Sequence, residues 1–211
     1  MTTSNEKMAA LVKKRPSHAE SLYRTYHNMN VFYRNKNQGL KYLPSWFNAL
    51  KPGSKILDVG CGNGLLCNWL VDRGFEVTGL DIVPGPYNRD KYEFVLHDLQ
   101  KGKLPFENNA FDCVLCFDVF EHIHLRWAEE LIYDMMRVGG NIVAGVACFG
   151  STHEDLHITV RPVEWWTEKF ARIAAKYSKK YFEVFTSFTK NKNALREQLL
   201  FVGSEARHGE D

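Results

Sequence analysis

The chain has 211 residues, of which 45% are hydrophobic and 25% are charged, so it can bury an ordinary core within one domain. Its formal net charge of +2 provides no basic footprint, which argues against a nucleic-acid partner. No apolar run approaches the roughly 20 residues of a membrane helix, and the first residues lack the apolar core of a secretory signal. We therefore expect a cytoplasmic protein without membrane insertion.

The first 50 residues predict helices. Residues 17–36 mix aromatic and polar side chains at helical spacing, and a second helix is predicted around Pro44. We expect residues 1–50 to form a helical lid over the substrate. The aromatic side chains expected in this lid are Tyr23, Tyr26, Phe32 and Tyr33.

Beyond this lid, short apolar runs alternate with helical segments. The runs typical of buried parallel strands are SKILDVG, FEVTGLD, YEFVLHD, FDCVLCFD and NIVAGVACF. The helical segments LLCNWLVDRG and LRWAEELIYDMMRVGG lie between some of them. This alternation predicts a parallel sheet with helices on both faces, which forms a core over residues 51–150.

Residues 151–211 predict a substrate-side loop, a helix and closing strands. The segment PVEWWTEKFARIAAKY indicates a helix with Pro162 in its first turn. YFEVFTSF and EQLLFVG are expected to close the sheet edge as an antiparallel hairpin. The predicted fold is one α/β domain over residues 1–211: a doubly wound, Rossmann-like sheet of seven strands, mostly parallel with an antiparallel C-terminal strand.

The five cysteines do not resemble a disulfide framework. Cys113 and Cys116 form a C-x-x-C pattern, but they lie in a strand-like run where residues three apart point to opposite faces. A redox pair or a zinc site is therefore disfavoured. We expect buried thiols in a reducing compartment.

A glycine-rich loop, ILDVGCGNG at residues 56–64, follows the first predicted strand, which we expect to end at Asp58. Glycines at positions 60, 62 and 64 let the backbone turn tightly and approach a ligand. This G-x-G-x-G pattern differs from the dinucleotide fingerprint G-x-G-x-x-G. Asp81 ends the next predicted strand, where an acid can accept hydrogen bonds from ribose hydroxyls.

The runs LDVGCGNG, GLDIV, HDLQ and LPFENNAFDCVLCFDVFEHI resemble, in order and spacing, successive motifs of class I S-adenosylmethionine-dependent methyltransferases. The resemblance implies that the glycine loop faces the methionine part of S-adenosylmethionine, that Asp81 binds the ribose and that Asp98 lies by the adenine. A doubly wound domain that binds another nucleotide is the alternative. The residues expected to contact the cofactor are Asp58, Gly60, Cys61, Gly62, Gly64, Asp81, Ile82, Asp98, Leu99, Phe117 and Asp118.

Two acids and a histidine follow the fourth predicted strand in DVFEH. If a helical turn begins at Asp118, then Asp118, Glu121 and His122 share a face that points toward the methyl donor. These side chains could also cap the helix or orient the cofactor. His153 and His157, in a polar loop after the fifth strand, could supply a further ligand.

The D-x-x-E-H pattern with a later histidine is similar to two metal-dependent families, the O-methyltransferases of ubiquinone synthesis and the small-RNA terminal 2′-O-methyltransferases. The resemblance implies that Asp118, Glu121, His122 and His157 hold Mg²⁺ or Mn²⁺, with His153 as the reserve ligand. Asp118 stands where the first family has glutamate, so its side chain is one methylene shorter. Without a metal, any of the three histidines could act as general base.

The polar cluster argues for an oxygen acceptor. The segment HITVRPVEWWTEKF is similar to small methyltransferases found among glycan-building enzymes, some of them joined to glycosyltransferases. This likeness implies a sugar or glycan hydroxyl as acceptor and admits an association with glycosyltransferases. Trp165 or Trp166 could stack on the sugar, although burial of at least one is the more usual outcome for this pattern.

Three other functions stay open. The acceptor could be another small molecule, such as a catechol or a quinone precursor. It could be an RNA ribose 2′-hydroxyl, which the near-neutral charge disfavours. The chain could also be a cofactor-binding partner subunit without activity of its own.

Overall fold

The computed structural model describes residues 43, 47–48, 50–83, 89–148 and 157–177, and the backbone of residues 181–191 and 194–204. The predicted aromatic lid lies outside these residues. Among the described helices, none combines the length and the apolar character needed to cross a bilayer.

The described chain forms seven strands and three α-helices. The strands are β1 Lys55–Val59, β2 Glu76–Asp81, β3 Glu93–Leu96, β4 Phe111–Phe117, β5 Gly139–Ala147, β6 Tyr181–Asn191 and β7 Ala194–Ser204. The helices are α1 Leu65–Val71, α2 Leu125–Val138 and α3 Val163–Lys176. Two short 3-10 helices, Arg89–Lys91 and Phe120–His122, lie in the connections.

The strands join one sheet in the order β3-β2-β1-β4-β5-β7-β6. The first five pair in parallel, and β7 pairs antiparallel with both β5 and β6. The predicted parallel α/β core is therefore confirmed over β1–β5. All five parallel strands end at one edge, and we call this the carboxyl edge.

Side chains of alternate strand residues pack into two separate hydrophobic clusters, one on each face of the sheet. Leu57 and Val59 of β1 belong to one cluster, which also contains the apolar faces of α2 and α3. Ile56 belongs to a second cluster with the apolar face of α1. Because side chains alternate across a strand, the sheet needs helices on both faces, as the apolar runs predicted.

The cysteines follow the same alternation. Cys116 lies in the first cluster and Cys113 in the second, so the two residues of the C-x-x-C pattern face opposite sides of β4. All five cysteines fall within the described chain, and each is a buried thiol outside any disulfide. The expectation of buried thiols is confirmed.

Two boundaries differ from the prediction. β1 runs through Val59, one residue beyond Asp58, because its last residue still pairs with both β2 and β4. Pro162 immediately precedes α3 instead of lying in its first turn, with an extended backbone at φ −62° and ψ 157°.

An aromatic cluster fastens the turn after β4 to α3. Phe120 is fully buried, and its ring centroid lies 5.6 Å from that of Trp166 and 5.4 Å from that of Phe170. Trp166 is itself fully buried, so it belongs to the core and does not stack on a sugar. Burial of these rings holds the turn in place against α3.

Truncation of this anchor should destabilise the fold. We expect Phe120→Ala to lower the free energy of unfolding by about 3–5 kcal/mol, because it leaves a cavity beside the rings of Trp166 and Phe170. Urea unfolding followed by circular dichroism measures the change. Ile158→Ala is the control, since Ile158 is 49% exposed, and it should unfold with the wild type. Equal loss in both variants would contradict the anchoring role of Phe120.

Candidate active site

The loop between β1 and α1 is a tight turn at the carboxyl edge. Gly60 has φ 72° and Gly64 has φ 76°, conformations that favour glycine because it has no Cβ. A Cβ on Gly60 would stand 2.3 Å from Cγ2 of Val119, and one on Gly64 would stand 2.0 Å from the hydroxyl oxygen of Tyr92. The N–H of Gly60 donates to the carbonyl of Leu80 at 2.7 Å. The loop therefore touches both β2 and the turn after β4.

Asp81, the last residue of β2, braces this loop with its side chain. Its Oδ2 accepts a hydrogen bond from the N–H of Gly62 at 2.9 Å, and its Oδ1 accepts one from the N–H of Val83 at 3.0 Å. A carboxylate has about four lone-pair sites, so Asp81 can also accept bonds from a ligand hydroxyl. The strand-end pattern pointed to this acid, but it did not reveal the bond to Gly62.

Asp58 is a buried carboxyl beside the loop. It is 4% exposed, and the thiol of Cys67 donates to its Oδ2 at 3.3 Å. Burial raises the pKa of Asp58 from its ordinary 3.8 to about 7; the Cys67 bond opposes this change, and the nearby Asp81 carboxylate adds to it. The folded protein therefore keeps this carboxyl protonated below about pH 7. A cation bound nearby would favour its ionised form.

Buried thiols near the site are not nucleophiles. A hydrogen bond with Cys61, and then burial, raises the pKa of the Cys67 thiol. Burial, and then the Glu121 carboxylate, raises the pKa of Cys116 well above its ordinary range. Since the thiolate is the reactive form, both groups stay inert at neutral pH.

The loop after β3 meets the turn after β4. Oδ1 of Asp98 accepts the N–H of Gln100 at 3.0 Å, and its Oδ2 lies 3.1 Å from Nζ of Lys101. Leu99 packs, partly buried, against the core. The side-chain oxygen of Gln100 accepts the N–H of His124 at 3.1 Å. Sequence reasoning missed Gln100, because a link between two loops leaves no periodic signal.

The turn after β4 begins later than predicted. Asp118 has φ 54°, and its N–H donates to the carbonyl of Gly145 at 3.0 Å. The 3-10 helix begins only at Phe120. A left-handed residue does not continue into a right-handed helical turn. The prediction that a turn from Asp118 places it on one helical face with Glu121 and His122 is therefore wrong.

Glu121, His122 and His157 converge into one group, which we call the Glu-His-His cluster. Each offers one ligand atom, and these atoms all lie within 4.8 Å of one another. The rings of His122 and His157 meet edge to face with centroids 4.6 Å apart. Glu121 is fully buried, and its Oε1 accepts the N–H of Ala147 at 3.3 Å. Asp118 is not part of this cluster, and His153 lies outside the described residues.

The donor set of the cluster suits a divalent transition-metal ion. Ligand atoms bound at about 2.0–2.2 Å to one ion lie no more than about 4.4 Å apart. The three ligand atoms of the cluster lie within 4.8 Å of one another, so a bound ion would draw their side chains closer together. Two imidazoles fit Mn²⁺ better than Mg²⁺, which prefers oxygen ligands and waters.

Comparison with known proteins identifies the family. A family model described as a methyltransferase domain matches residues 27–183. The chain belongs to this family. The S-adenosylmethionine-dependent methyltransferase predicted from the motifs is thereby confirmed.

Two relatives of this methyltransferase are O-methyltransferases by name. The malonyl-[acyl-carrier protein] O-methyltransferase of Serratia marcescens is 30% identical over 114 residues, which cover 49% of this chain and 42% of that protein. The ubiquinone biosynthesis O-methyltransferase of Hahella chejuensis is 32% identical over 87 residues, covering 36% of this chain and 35% of that protein. The matches thus span less than half of the length of each relative.

A solved structure shares the fold of this methyltransferase. It is the 1,6-didemethyltoxoflavin-N1-methyltransferase of Burkholderia thailandensis, with bound 1,6-didemethyltoxoflavin and S-adenosylhomocysteine. The TM-score is 0.63 at 14% identity, and the match covers 98% of this chain and 92% of that one. At this identity the likeness shows the fold alone.

The buried Asp58 should make the stability of the ligand-free protein depend on pH. Between its ordinary value of 3.8 and about 7, the folded state holds a proton on Asp58 that the unfolded chain has released. The free energy of unfolding therefore falls as pH rises through this window, by on the order of 4 kcal/mol from this group. Urea unfolding from pH 5 to 8 measures the slope, and Asp58→Asn should flatten it. An unchanged slope in Asp58→Asn would assign the effect to another group.

Proposed function

We propose that this methyltransferase is an O-methyltransferase that acts on a small molecule with adjacent oxygen groups, assisted by a divalent metal held by the Glu-His-His cluster. The observation that carries the proposal is the convergence of one carboxylate oxygen and two imidazole nitrogens within 4.8 Å. A hydroxyl acceptor has to lose its proton, and a metal bound by such a donor set can assist that loss.

The cofactor is proposed to lie along the carboxyl edge, beside the cluster. Support comes from the contact between the glycine loop and the turn after β4, where Val119 leaves no room for a Cβ on Gly60. In this proposal Asp81 accepts the ribose hydroxyls, Asp98 and Leu99 flank the adenine, and Phe117 lines the pocket. The remaining proposed cofactor contacts are Asp58, Cys61, Gly62, Gly64, Ile82 and Asp118.

The reaction is an in-line displacement at the methyl carbon of the sulfonium. A lone pair of the acceptor oxygen forms the new C–O bond as the C–S bond breaks. The electron pair of the C–S bond leaves with the sulfur. The protein mainly has to align the two reactants, which can be worth effective molarities of ~10⁵ to 10⁸ M. The acceptor must also lose its hydroxyl proton.

The cluster is suited to that second task. A divalent ion bound there would lower the pKa of an acceptor hydroxyl and help to orient it. The bond from the Ala147 N–H holds the Glu121 carboxylate toward the cluster, and the edge-to-face contact sets the two imidazole rings at nearly a right angle. If no metal is used, His122 or His157 would accept the proton directly.

The comparisons favour a small phenolic or quinone-like acceptor over a glycan. The relative from Hahella chejuensis is named for ubiquinone biosynthesis, and its name specifies O-methylation. The glycan hypothesis, with its association with glycosyltransferases, included stacking of Trp165 or Trp166 on the sugar, and Trp166 is fully buried. Trp165 alone stays available, half-buried with Nζ of Lys169 4.9 Å from its ring centroid.

Loss of the Asp81 charge should weaken cofactor binding. We expect Asp81→Asn to raise the dissociation constant of S-adenosylhomocysteine by about 10- to 100-fold, because a charged acceptor is lost to both the glycine loop and the ribose. Isothermal titration calorimetry measures it. Asp72→Asn is the control, since Asp72 is exposed and pairs with Lys91 at 3.1 Å. Unchanged affinity in Asp81→Asn would refute the proposed placement of the ribose.

Removal of the cluster should abolish turnover and spare cofactor binding. We expect His157→Ala to lower kcat by about 10²–10⁴-fold toward a catechol, with unchanged affinity for S-adenosylhomocysteine. Chelation with EDTA should have a similar effect, and added Mn²⁺ should reverse it in the wild type alone. His124→Ala is the matched control, because His124 is exposed and outside the cluster.

The two mechanisms separate in this experiment. Full activity after chelation, together with an inactive His157→Ala, would replace the metal by a histidine base. Full activity of His157→Ala would remove the cluster from the reaction. Methyl transfer to a monosaccharide panel and none to catechols would restore the glycan acceptor.

A further inference from the structure

The segment that carries His157 is fastened to the turn after β4 by one buried threonine. Thr159 is 2% exposed, and its backbone N–H donates to the carbonyl of Glu121 at 3.0 Å. Its hydroxyl donates to the carbonyl of Ile123 at 2.7 Å. These two carbonyls flank His122. Thr159 therefore joins the two parts of the cluster, which lie far apart in the sequence.

Two bonds from one residue restrict the segment more than either bond alone. With only the backbone bond, the segment could still pivot about that N–H. Exposure alternates along it, since Ile158 is 49% exposed between a half-buried His157 and a buried Thr159. Ile158 is therefore the residue turned to solvent, while His157 and Thr159 lie against the protein. A fixed Thr159 thus also fixes the side from which the His157 ring meets His122.

We propose that Thr159 is a positioning residue whose hydroxyl holds His157 in the geometry that binds the metal. This inference rests on the proposed function and adds to it a residue that does not itself ligate the ion. Groups that orient metal ligands typically contribute about 10- to 100-fold to metal affinity. A ligand that is already held in place loses less conformational freedom when the ion binds.

Three variants isolate the hydroxyl. Thr159→Val removes it but keeps the backbone N–H and nearly the same volume, and Thr159→Ser restores it. Thr167→Val is the matched control, because the Thr167 hydroxyl also donates to a backbone carbonyl, that of Val163 at 2.9 Å, but within α3. Each variant is titrated with Mn²⁺ and with S-adenosylhomocysteine by calorimetry. The absorption spectrum of bound Co²⁺ and the midpoint of urea unfolding complete the comparison.

Thr159→Val should bind Mn²⁺ about 10-fold or more weakly than the wild type, with an altered Co²⁺ spectrum. Its affinity for S-adenosylhomocysteine should be unchanged, which also shows that the variant is folded. Thr159→Ser and Thr167→Val should bind Mn²⁺ like the wild type. This pattern would establish that the hydroxyl acts on the metal site and does not merely support the fold.

Each other outcome overturns the inference in a distinct way. If Thr159→Val binds Mn²⁺ like the wild type and His157→Ala does not bind Mn²⁺, the proposed role of Thr159 is wrong and the proposed function stands. A wild-type protein that binds neither Mn²⁺ nor Co²⁺ would overturn the metal site, and the role of Thr159 with it. Parallel losses of Mn²⁺ and S-adenosylhomocysteine binding in Thr159→Val would make Thr159 a general support of the fold.

Discussion

Parallel pairing of five strands brings their carboxyl ends to one edge, and every candidate functional group depends on that constraint. The glycine loop, Asp81, Asp98 and the turn after β4 each lie at the end of a different strand, and the sheet brings these ends to one edge. Ligands of open α/β sheets bind at this edge, where the strand order reverses. Here the reversal falls between β1, which is followed by the glycine loop, and β4, which is followed by the turn with Glu121 and His122.

The turn after β4 is held from several directions. The N–H of Asp118 donates to β5, Gln100 accepts the N–H of His124, and Thr159 donates to two of the turn's carbonyls. In addition, the ring of Phe120 packs against Trp166 and Phe170 of α3. A turn this short cannot orient Glu121 and His122 by its own backbone, so its neighbours supply the rigidity that a site needs.

The buried carboxyl of Asp58, beside the glycine loop, has a direct consequence for the binding of a cationic ligand. Burial raises the pKa of Asp58 to about 7, and the nearby Asp81 carboxylate adds to this effect. A cationic ligand bound nearby would favour the ionised form of Asp58. A hydrogen bond with Cys61, and then burial, raises the pKa of the Cys67 thiol beside the loop, so this thiol does not act as a nucleophile.

Local sequence determined the parallel core, the glycine loop and the strand-end acids, because apolar runs, glycine spacing and their order are properties of neighbouring residues. It also singled out Glu121, His122 and His157 as polar groups in the right loops. Only the tertiary structure showed that the left-handed backbone of Asp118 separates it from this group. It also showed that Asp81 accepts a hydrogen bond from the glycine loop. Gln100 and Thr159 also emerged only there. Their hydrogen bonds join residues distant in the chain, so no pattern of neighbouring residues can encode them.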